Sequence, residues 1–409
     1  MLLHFKSKLV ILFLLVSSLS VGVARAQTFI ITGHRKAIHV PFRIIRNMIV
    51  IKADINGEGP FYFILDTGVG YMVITDPEVV KSVDIIRTRT IKMSGLGEGR
   101  DLDAYVTNPL QIDIGGLTNP NLAAAIFKED HFGLSNYAGM PIAGLIGYDF
   151  FNGLTVKIDF ADSTLTAFNP NKFKLKKKYT GVPISIEGNK PYLTAHIKMK
   201  DSSQRDCKLI VDLGAGHPLS LENMHTETMG ALKSIPANLG MGLNGLICGR
   251  ISRVSELDIG QFVFKDVLAS FPEENKNYIG GVKRDGSLGI DILKRFHLII
   301  DYPHNMIYFK PRTDLKEPFE HDMSGMEYYS GGDGLKHVII ASVEPGSAAD
   351  KVGLSKDDEL ISINFKPVNK MSLDDIDAIF RSRDGLSLLL EVVKDNKYGD
   401  VVIILKKRI

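Results

Sequence analysis

The stretch FILDTGVG, Phe63 to Gly70, ends an apolar run on a carboxylate and follows it with a small hydroxyl residue and two glycines. A second stretch, LIVDLGAG from Leu209 to Gly216, repeats the same outline. A single Asp-Thr-Gly is a weak signal, because aspartate and glycine are ordinary turn residues. Two copies in matching surroundings indicate that Asp66 and Asp212 have a specific role, each at the end of a buried strand.

The two stretches belong to an internal repeat that covers most of the chain. Asp66 and Asp212 lie 146 positions apart, and GLIGYDFF from Gly144 pairs with GSLGIDIL from Gly286 at an offset of 142. VKIDF, ending at Phe160, likewise pairs with LIIDY. Insertions and deletions in loops explain the small drift in offset. The copies are too long and too few for a solenoid, so the sequence predicts a duplicated domain.

Each copy contains short segments rich in Ile, Val and Phe and bounded by Gly, Asn or Pro, as β-strands are. Short helices are expected after the Leu-Ile-Gly and Ser-Leu-Gly turns, over 149–152 and 291–296. Two glycine clusters predict hairpin tips, which we interpret as flaps at Gly95 and Gly97 in the first copy and at Gly240 and Gly242 in the second.

After Pro311 the pattern changes to strand, Pro-Gly turn, short helix, strand and turn in quick succession. The segment from Ser372 to Arg383 predicts an amphipathic helix, because Leu373, Ile376 and Phe380 fall on one side of it. Two apolar strands close the chain. This region is therefore expected to be a separate module with both helix and strand.

The first segment has the pattern of a secretory signal. Lys6 and Lys8 precede an apolar run that is too short to favour a membrane span, and Ala24-Arg25-Ala26 supplies a small-x-small cleavage pattern. We therefore expect an exported protein, periplasmic or secreted, with no membrane anchor after cleavage. Export permits a disulfide between Cys207 and Cys248, which the sequence leaves open.

Charge and motif content exclude several classes of function. The 49 Lys and Arg face 47 Asp and Glu, and removing 1–26 takes away three basic residues and leaves 46 against 47. Such a balance does not favour nucleic acid as a partner. The sequence contains no HExxH motif and no pair of cysteines with the spacing of metal ligands. The stretch GLGEGR has the wrong spacing for a nucleotide-binding loop. We therefore expect no cofactor.

The paired motifs have a chemical interpretation if the two copies face each other. Two carboxylates in contact hold one proton between them, because ionising both is costly. The ionised member of Asp66 and Asp212 can then take a proton from water, while the protonated member polarises a carbonyl. Amide hydrolysis needs no metal in that arrangement. The Thr67 hydroxyl can bond across to the opposite loop, and Gly68 and Gly214 allow close backbone approach.

These residues resemble the motifs of the aspartic peptidases, in the retropepsin-like branch found duplicated within one bacterial chain. LDTG at 65–68 matches the catalytic motif and LIG at 145–147 its apolar partner, while VDLG at 211–214 and SLG at 287–289 form the second set. The resemblance covers about residues 40–312 and implies a mainly β fold with two pepsin-like lobes and a cleft between them. Leu213 departs from it, because the family places Thr or Ser there.

The tail resembles a PDZ domain, on the stretch SVEPGSAADKVGLSKDDELISIN from Ser342 to Asn364. That resemblance implies binding of a peptide C-terminus by backbone amides of a Gly-φ-Gly-φ loop. Its counterpart here is SGMEY at 324–328, which departs from the pattern at its glycine positions. The implied peptide-binding residues are Ser324, Gly325, Met326 and Glu327.

The sequence thus predicts a signal peptide at 1–26, peptidase lobes at 27–178 and 179–318, and a PDZ domain at 319–409. We expect a monomeric aspartic endopeptidase that holds polypeptide substrates in the cleft under its flaps. The alternative is a peptidase-like scaffold without turnover that works through its PDZ domain. Intact Asp66-Thr67-Gly68 favours the enzyme and Leu213 the scaffold. His217, near the second motif, is interpreted as a packing or capping residue.

Overall fold

The structure, a computed structural model, describes residues 28–33, 35–93, 95, 99, 101–222, 233–242, 245–273 and 281–409. The predicted fold class is confirmed, with two β-lobes followed by a smaller α+β domain. The predicted signal peptide and Gly97 lie outside the described residues. None of the helices within those ranges is long and apolar enough to cross a membrane.

The N-terminal lobe is built on strands whose apolar side chains face a common core. Eleven of its strands form one sheet in the order β1-β10-β9-β4-β5-β12-β6-β11-β8-β7, with β3 paired to β4. The lobe contains β1 (Ile30–Ile31), β2 (Ala37–Pro41), β3 (Arg43–Ile45), β4 (Met48–Ile55), β5 (Glu58–Leu65), β6 (Val73–Ile74), β7 (Arg87–Met93), β8 (Leu102–Thr107), β9 (Leu110–Ile114), β10 (Leu117–Leu122), β11 (Ala125–Phe127), β12 (Gly144–Ile146), β13 (Thr155–Asp159), β14 (Thr164–Phe168) and the helices α1 (Leu134–Ala138) and α2 (Tyr148–Phe151).

The C-terminal lobe repeats this plan. Eight of its strands form a sheet in the order β16-β17-β18-β23-β19-β22-β21-β20. It contains β15 (Thr180–Pro183), β16 (Ser185–Glu187), β17 (Lys190–Lys198), β18 (Gln204–Asp212), β19 (Leu219–Leu221), β20 (Ile235–Gly242), β21 (Gly245–Ile259), β22 (Phe262–Pro272), β23 (Gly286–Gly289), β24 (Phe296–Asp301), β25 (Met306–Pro311) and the helix α3 (Ile290–Leu293). Short 3-10 turns lie at Pro170–Lys172, Tyr302–His304, Asp333–Leu335 and Val368–Lys370.

A third sheet joins the lobes, in the order β15-β25-β24-β13-β14-β2. Its centre is the antiparallel pair of β13 and β24, which are the repeated VKIDF and LIIDY segments, with Thr155 opposite Asp301. A single apolar core cluster runs through both lobes. The duplicated halves are therefore hydrogen-bonded and packed into one body.

Parallel strand pairs fix the ends of the two motif strands. Leu65 of β5 lies beside Ile146 of β12, and the backbone N–H of Asp66 donates to the Ile146 carbonyl at 2.9 Å. In the second lobe, Asp212 at the end of β18 lies beside Gly289 of β23. Each aspartate thus leaves a buried strand at a defined point, next to the apolar-apolar-Gly segment that the sequence paired with it.

The helices expected after those segments are present, although their bounds differ from the predicted ones. They run from Tyr148 to Phe151 and from Ile290 to Leu293, so each begins one residue early. The second helix is shorter than predicted because β24 begins at Phe296. Cys207 and Cys248, on β18 and β21, do not form a disulfide with each other.

The C-terminal domain has its own apolar core. Its sheet has the order β26-β27-β28-β30-β31, with β29 paired to β28, so β26 is an edge strand. The predicted amphipathic helix is confirmed and buries Leu373, Ile376 and Phe380. The domain contains β26 (Met326–Gly331), β27 (His337–Val343), β28 (Glu359–Ile363), β29 (Lys366–Pro367), β30 (Ser387–Lys394), β31 (Lys397–Ile404) and the helices α4 (Ala348–Lys351) and α5 (Leu373–Phe380).

The segment that leads into this domain is bound to the C-terminal lobe. Phe319 is buried in the core shared by the lobes, and the guanidinium of Arg295 lies 3.7 Å from the centre of its ring. Arg253 donates a hydrogen bond of 2.8 Å to the carbonyl of Phe319. The last domain therefore follows a segment that is anchored in the C-terminal lobe.

Candidate active site

The structure brings the carboxyls of Asp66 and Asp212 together between the lobes. Each carboxyl packs on the glycine of the opposite motif. A Cβ on Gly214 would overlap the carboxyl of Asp66, and a Cβ on Gly68 would lie 2.8 Å from Oδ2 of Asp212. Only glycine leaves room for this reciprocal approach.

Each carboxylate is also oriented by its own loop. The N–H of Gly68 donates to Oδ1 of Asp66 at 2.7 Å, and the N–H of Gly214 donates to Oδ1 of Asp212 at 2.9 Å. The same bond occurs in both copies, so the two side chains enter the contact in equivalent orientations.

The environment of this pair favours one retained proton. Burial, followed by the charge of Asp212, raises the pKa of Asp66 well above its ordinary value. The hydrogen bond from Gly68 and the positive charge of Lys190 oppose that rise in pKa without cancelling it. A singly protonated pair contains both an acid and a base, as hydrolysis by activated water requires.

The predicted bond from Thr67 to the opposite loop is present. Its buried hydroxyl donates to the carbonyl of Val211 at 2.6 Å and accepts from the N–H of Leu213 at 2.9 Å. The Leu213 side chain, which departs from the family pattern, is fully buried in the apolar core. The junction of the two loops thus has one hydroxyl bridge and one apolar contact.

Two turns that sequence reasoning missed brace the site loops. Asn47, between β3 and β4, donates through Nδ2 to the carbonyl of Gly216 at 3.1 Å. Asn189, between β16 and β17, donates to the carbonyl of Gly70 at 3.2 Å, and both asparagines have φ of 62°. Each lobe thereby holds the site loop of the other. The 142-residue offset between these asparagines, the offset of other repeated segments, could have revealed them.

Sequence reasoning also missed two cations on the C-terminal side of the site. Burial and the charge of Arg284 lower the pKa of Lys190, while the carboxylates of the pair favour its charged form. Nη2 and Nε of Arg284 donate to the two carboxylate oxygens of Glu222, at 2.7 and 3.1 Å. Lys190 is paired through its backbone with Glu187 of β16, whereas its ammonium makes no hydrogen bond or ion pair among the described residues. The equivalent residue of the first copy, 142 positions earlier, is the buried Met48.

Other titratable groups near the motifs have structural partners. Nε2 of His217 lies 2.8 Å from Oγ of Ser287, and burial lowers the pKa of His217. Asp149 accepts from the N–H of Met72 at 3.1 Å, and burial raises its pKa to about 6. Within the described ranges, no group of three or more His, Cys, Asp or Glu side chains is arranged to hold a metal ion.

The glycine clusters predicted as flaps lie on two hairpins. Gly95 follows β7 in the β7–β8 hairpin, and Gly240 and Gly242 lie at the end of β20 in the β20–β21 hairpin. The tips approach each other, because a Cβ on Gly245 would lie 3.9 Å from the amide nitrogen of Gly99. The assignment of these hairpins as flaps remains a prediction.

The predicted peptide-binding residues of the last domain lie at the start of β26. The N–H groups of Ser324 and Gly325 donate to Oδ1 of Asp322 at 2.9 and 2.7 Å, and the N–H of Met326 donates to Oγ of Ser324 at 3.1 Å. Glu327 accepts from Nδ2 of Asn238 at 2.8 Å. The amides of this loop are thus bonded within the chain.

Comparisons with known proteins agree with the two kinds of domain. Among solved structures, the chain is similar to the aspartic proteinase from Irpex lacteus, with 13% sequence identity and a TM-score of 0.46, over 69% of this chain and 99% of that chain. No curated protein sequence matches it. The family model described as aspartyl protease matches residues 51–150, and that described as PDZ domain matches residues 313–393. The two family models thus match separate parts of the chain, the first within the N-terminal lobe and the second over most of the C-terminal domain.

Proposed function

We propose that this protein is an aspartic endopeptidase that hydrolyses peptide bonds with a water activated by Asp66 and Asp212. The observation that carries the proposal is the reciprocal packing of the two carboxyls on Gly214 and Gly68, where burial and the charge of Asp212 raise the pKa of Asp66 well above its ordinary value. This arrangement supplies an acid and a base at one point, without a metal ligand set or a nucleophilic side chain.

The proposed reaction proceeds in two balanced steps. The ionised carboxylate takes a proton from water as the water oxygen bonds to the peptide carbonyl carbon, and the protonated carboxyl donates its proton to the carbonyl oxygen. The carboxyl that gained a proton then protonates the peptide nitrogen as the C–N bond breaks. One hydroxyl proton of the intermediate returns to the other carboxylate, which restores the singly protonated pair.

The other parts of the chain complete the proposal. A polypeptide substrate lies extended between the lobes under the two hairpins, and the PDZ domain binds peptide or protein segments. The segment 1–26 supports export to the periplasm or the exterior, and a monomer suffices because one chain supplies both aspartates. The alternative is an inactive scaffold, which Leu213 favours. The intact Thr67 bridge to Val211 and Leu213 favours the enzyme instead.

The test is cleavage of an unfolded protein mixture by the mature protein over acid to neutral pH. Asp66→Asn and Asp212→Asn should each lower kcat/KM by at least about 100-fold, the scale of a general acid–base group. Asp400→Asn is the matched control, because Asp400 is exposed on β31 of the C-terminal domain, outside both lobes. Near-normal turnover in either folded dyad variant would rule out the paired-carboxylate mechanism.

A further inference from the structure

The peptide groove of a PDZ domain is formed by the free edge of a strand and the helix that faces it, and a ligand adds to that edge as a further strand. Here the edge strand is β26 and the facing helix is α5. The residues predicted to bind a terminal carboxylate, 324–328, lie at the start of β26. What occupies this groove can be identified from the contacts of its walls.

Arg46 of the N-terminal lobe lies between the two walls of the groove. Its Nη1 donates to the carbonyl of Tyr328 on β26 at 2.9 Å, and its Nε and Nη2 donate to the two carboxylate oxygens of Asp377 on α5, each at 3.1 Å. Its backbone N–H donates to Oδ1 of Asp374 at 2.7 Å. The side chain is only 10% exposed. A single residue of the protease domain therefore bridges strand and helix.

A second residue of the same lobe takes the next position along the strand. Nδ2 of Asn136, on helix α1, donates to the carbonyl of Ser330 at 2.8 Å. Ser330 and Tyr328 are alternate residues of β26, so their carbonyls point to the same edge. Because β27 covers the other edge, these are the carbonyls that an added peptide strand would use.

The start of the groove is also filled from within the chain. The N–H groups of Ser324 and Gly325 both donate to Oδ1 of Asp322. These amides belong to the loop expected to receive the carboxylate of a bound peptide. A carboxylate is therefore present in the loop, and it is one of the domain's own side chains.

We propose that the PDZ groove is a docking site for the protease domain of the same chain, with Arg46 and Asn136 in the place of a ligand strand. An external peptide can add to β26 only after these two side chains leave it. The turn that enters the groove also contacts the candidate active site, because Asn47, the residue after Arg46, donates a hydrogen bond to the carbonyl of Gly216 in the second motif loop.

The test is hydrogen–deuterium exchange of the full chain, which needs no catalytic turnover and is therefore independent of the proposed peptidase activity. In Arg46→Ala, exchange should become about tenfold faster in segments 326–331 and 373–380, as expected when hydrogen bonds to a charged group are lost. Exchange in β28 and β30, in the centre of the PDZ sheet, should stay unchanged. Asn136→Ala should accelerate exchange in 326–331 in the same way.

Arg35→Ala is the matched control, because Arg35 is an exposed arginine of the same lobe that has no hydrogen bond to the PDZ domain among the residues described and does not line the cavity between the two domains. Docking is overturned if Arg46→Ala and Asn136→Ala give the exchange pattern of this control. It is also overturned if exchange rises equally through β28 and β30, because Arg46 would then stabilise the whole domain and not close its groove. Acceleration confined to the two groove walls supports the proposal.

Discussion

Thr67 supports the loop junction alone, because the residue opposite it is Leu213. Thr67→Val would leave the Val211 carbonyl and the Leu213 N–H buried without partners, at about 1–3 kcal/mol for each unsatisfied group. We expect a lower thermal midpoint and lower turnover, because the bond that aligns the two motif loops is lost. Both quantities can be measured on the same preparation, and turnover equal to wild type would show that the bridge does not position the carboxylates.

Leu213→Thr is the complementary change. It inserts a hydroxyl into the apolar core and removes a buried side chain whose burial contributes roughly 1.5–3 kcal/mol. We therefore expect little gain in turnover and a lower thermal midpoint. If Leu213→Thr instead switches on activity in an inert wild type, the natural protein is a binding scaffold and the proposed peptidase function is wrong.

The charge of Lys190 affects the pH at which the pair loses its shared proton, and this effect can be tested. Its positive charge favours ionised Asp66, so it lowers the pKa of a group that burial and Asp212 raise. Activity requires the shared proton and is lost as pH rises through the pKa of Asp66. Lys190→Met, which copies Met48 of the first lobe, should therefore shift the basic limb of the kcat/KM profile to higher pH.

The profile should be recorded on a peptide without acidic residues, so that direct attraction of substrate by Lys190 does not contribute. Lys265→Met is the control, because Lys265 is exposed on β22. An unchanged basic limb, or one shifted to lower pH, would show that Lys190 does not act on the pair through its charge.

The hairpin turns that carry Asn47 and Asn189 connect strands of one lobe to the site loop of the other. Asn189→Gly keeps the left-handed φ at little cost and removes only the amide that donates to Gly70. We expect turnover to fall several-fold with a small change in thermal midpoint, because a positioning contact is lost while the fold remains. Asn47→Gly loses the equivalent bond to Gly216 and also the bond that Nζ of Lys294 donates to Oδ1 of Asn47 at 2.9 Å, so we expect a fall in turnover at least as large.

Asn396→Gly provides the control for these turns. Asn396 has φ of 60° in an exposed hairpin of the PDZ domain, so it undergoes the same substitution away from the site. Turnover of Asn189→Gly equal to that of Asn396→Gly would contradict the bracing role.

The whole molecule joins its duplicated halves through one sheet and one core. The antiparallel pair of β13 and β24 and the shared apolar cluster join the two lobes into one body. Both aspartates of the pair therefore come from one chain. Specific activity should therefore be constant over a hundredfold range of protein concentration, measured together with the sedimentation coefficient. A steep rise of specific activity on concentration would instead indicate an obligate dimer.

The sequence by itself determined the strands, the duplication and the central pair. These features depend on local patterns, such as apolar runs that end on Asp and a Ser-x-x-Asp cap before Leu373, and such patterns act within a few residues along the chain. Because the repeat carries the same local pattern twice, it also indicated that Asp66 would meet Asp212. The bond from Thr67 followed from that symmetry.

Only the tertiary structure decided where the asymmetric residues lie. Arg46 and Asp377 are 331 positions apart, and no local pattern distinguishes this arginine from the exposed ones. The position of Lys190 beside the carboxylates also depends on tertiary structure, because the repeat places Met48, an uncharged residue, at the equivalent position of the first copy. Long-range contacts of single charged side chains depend on how whole domains pack. The period of a strand or helix carries no information about that packing.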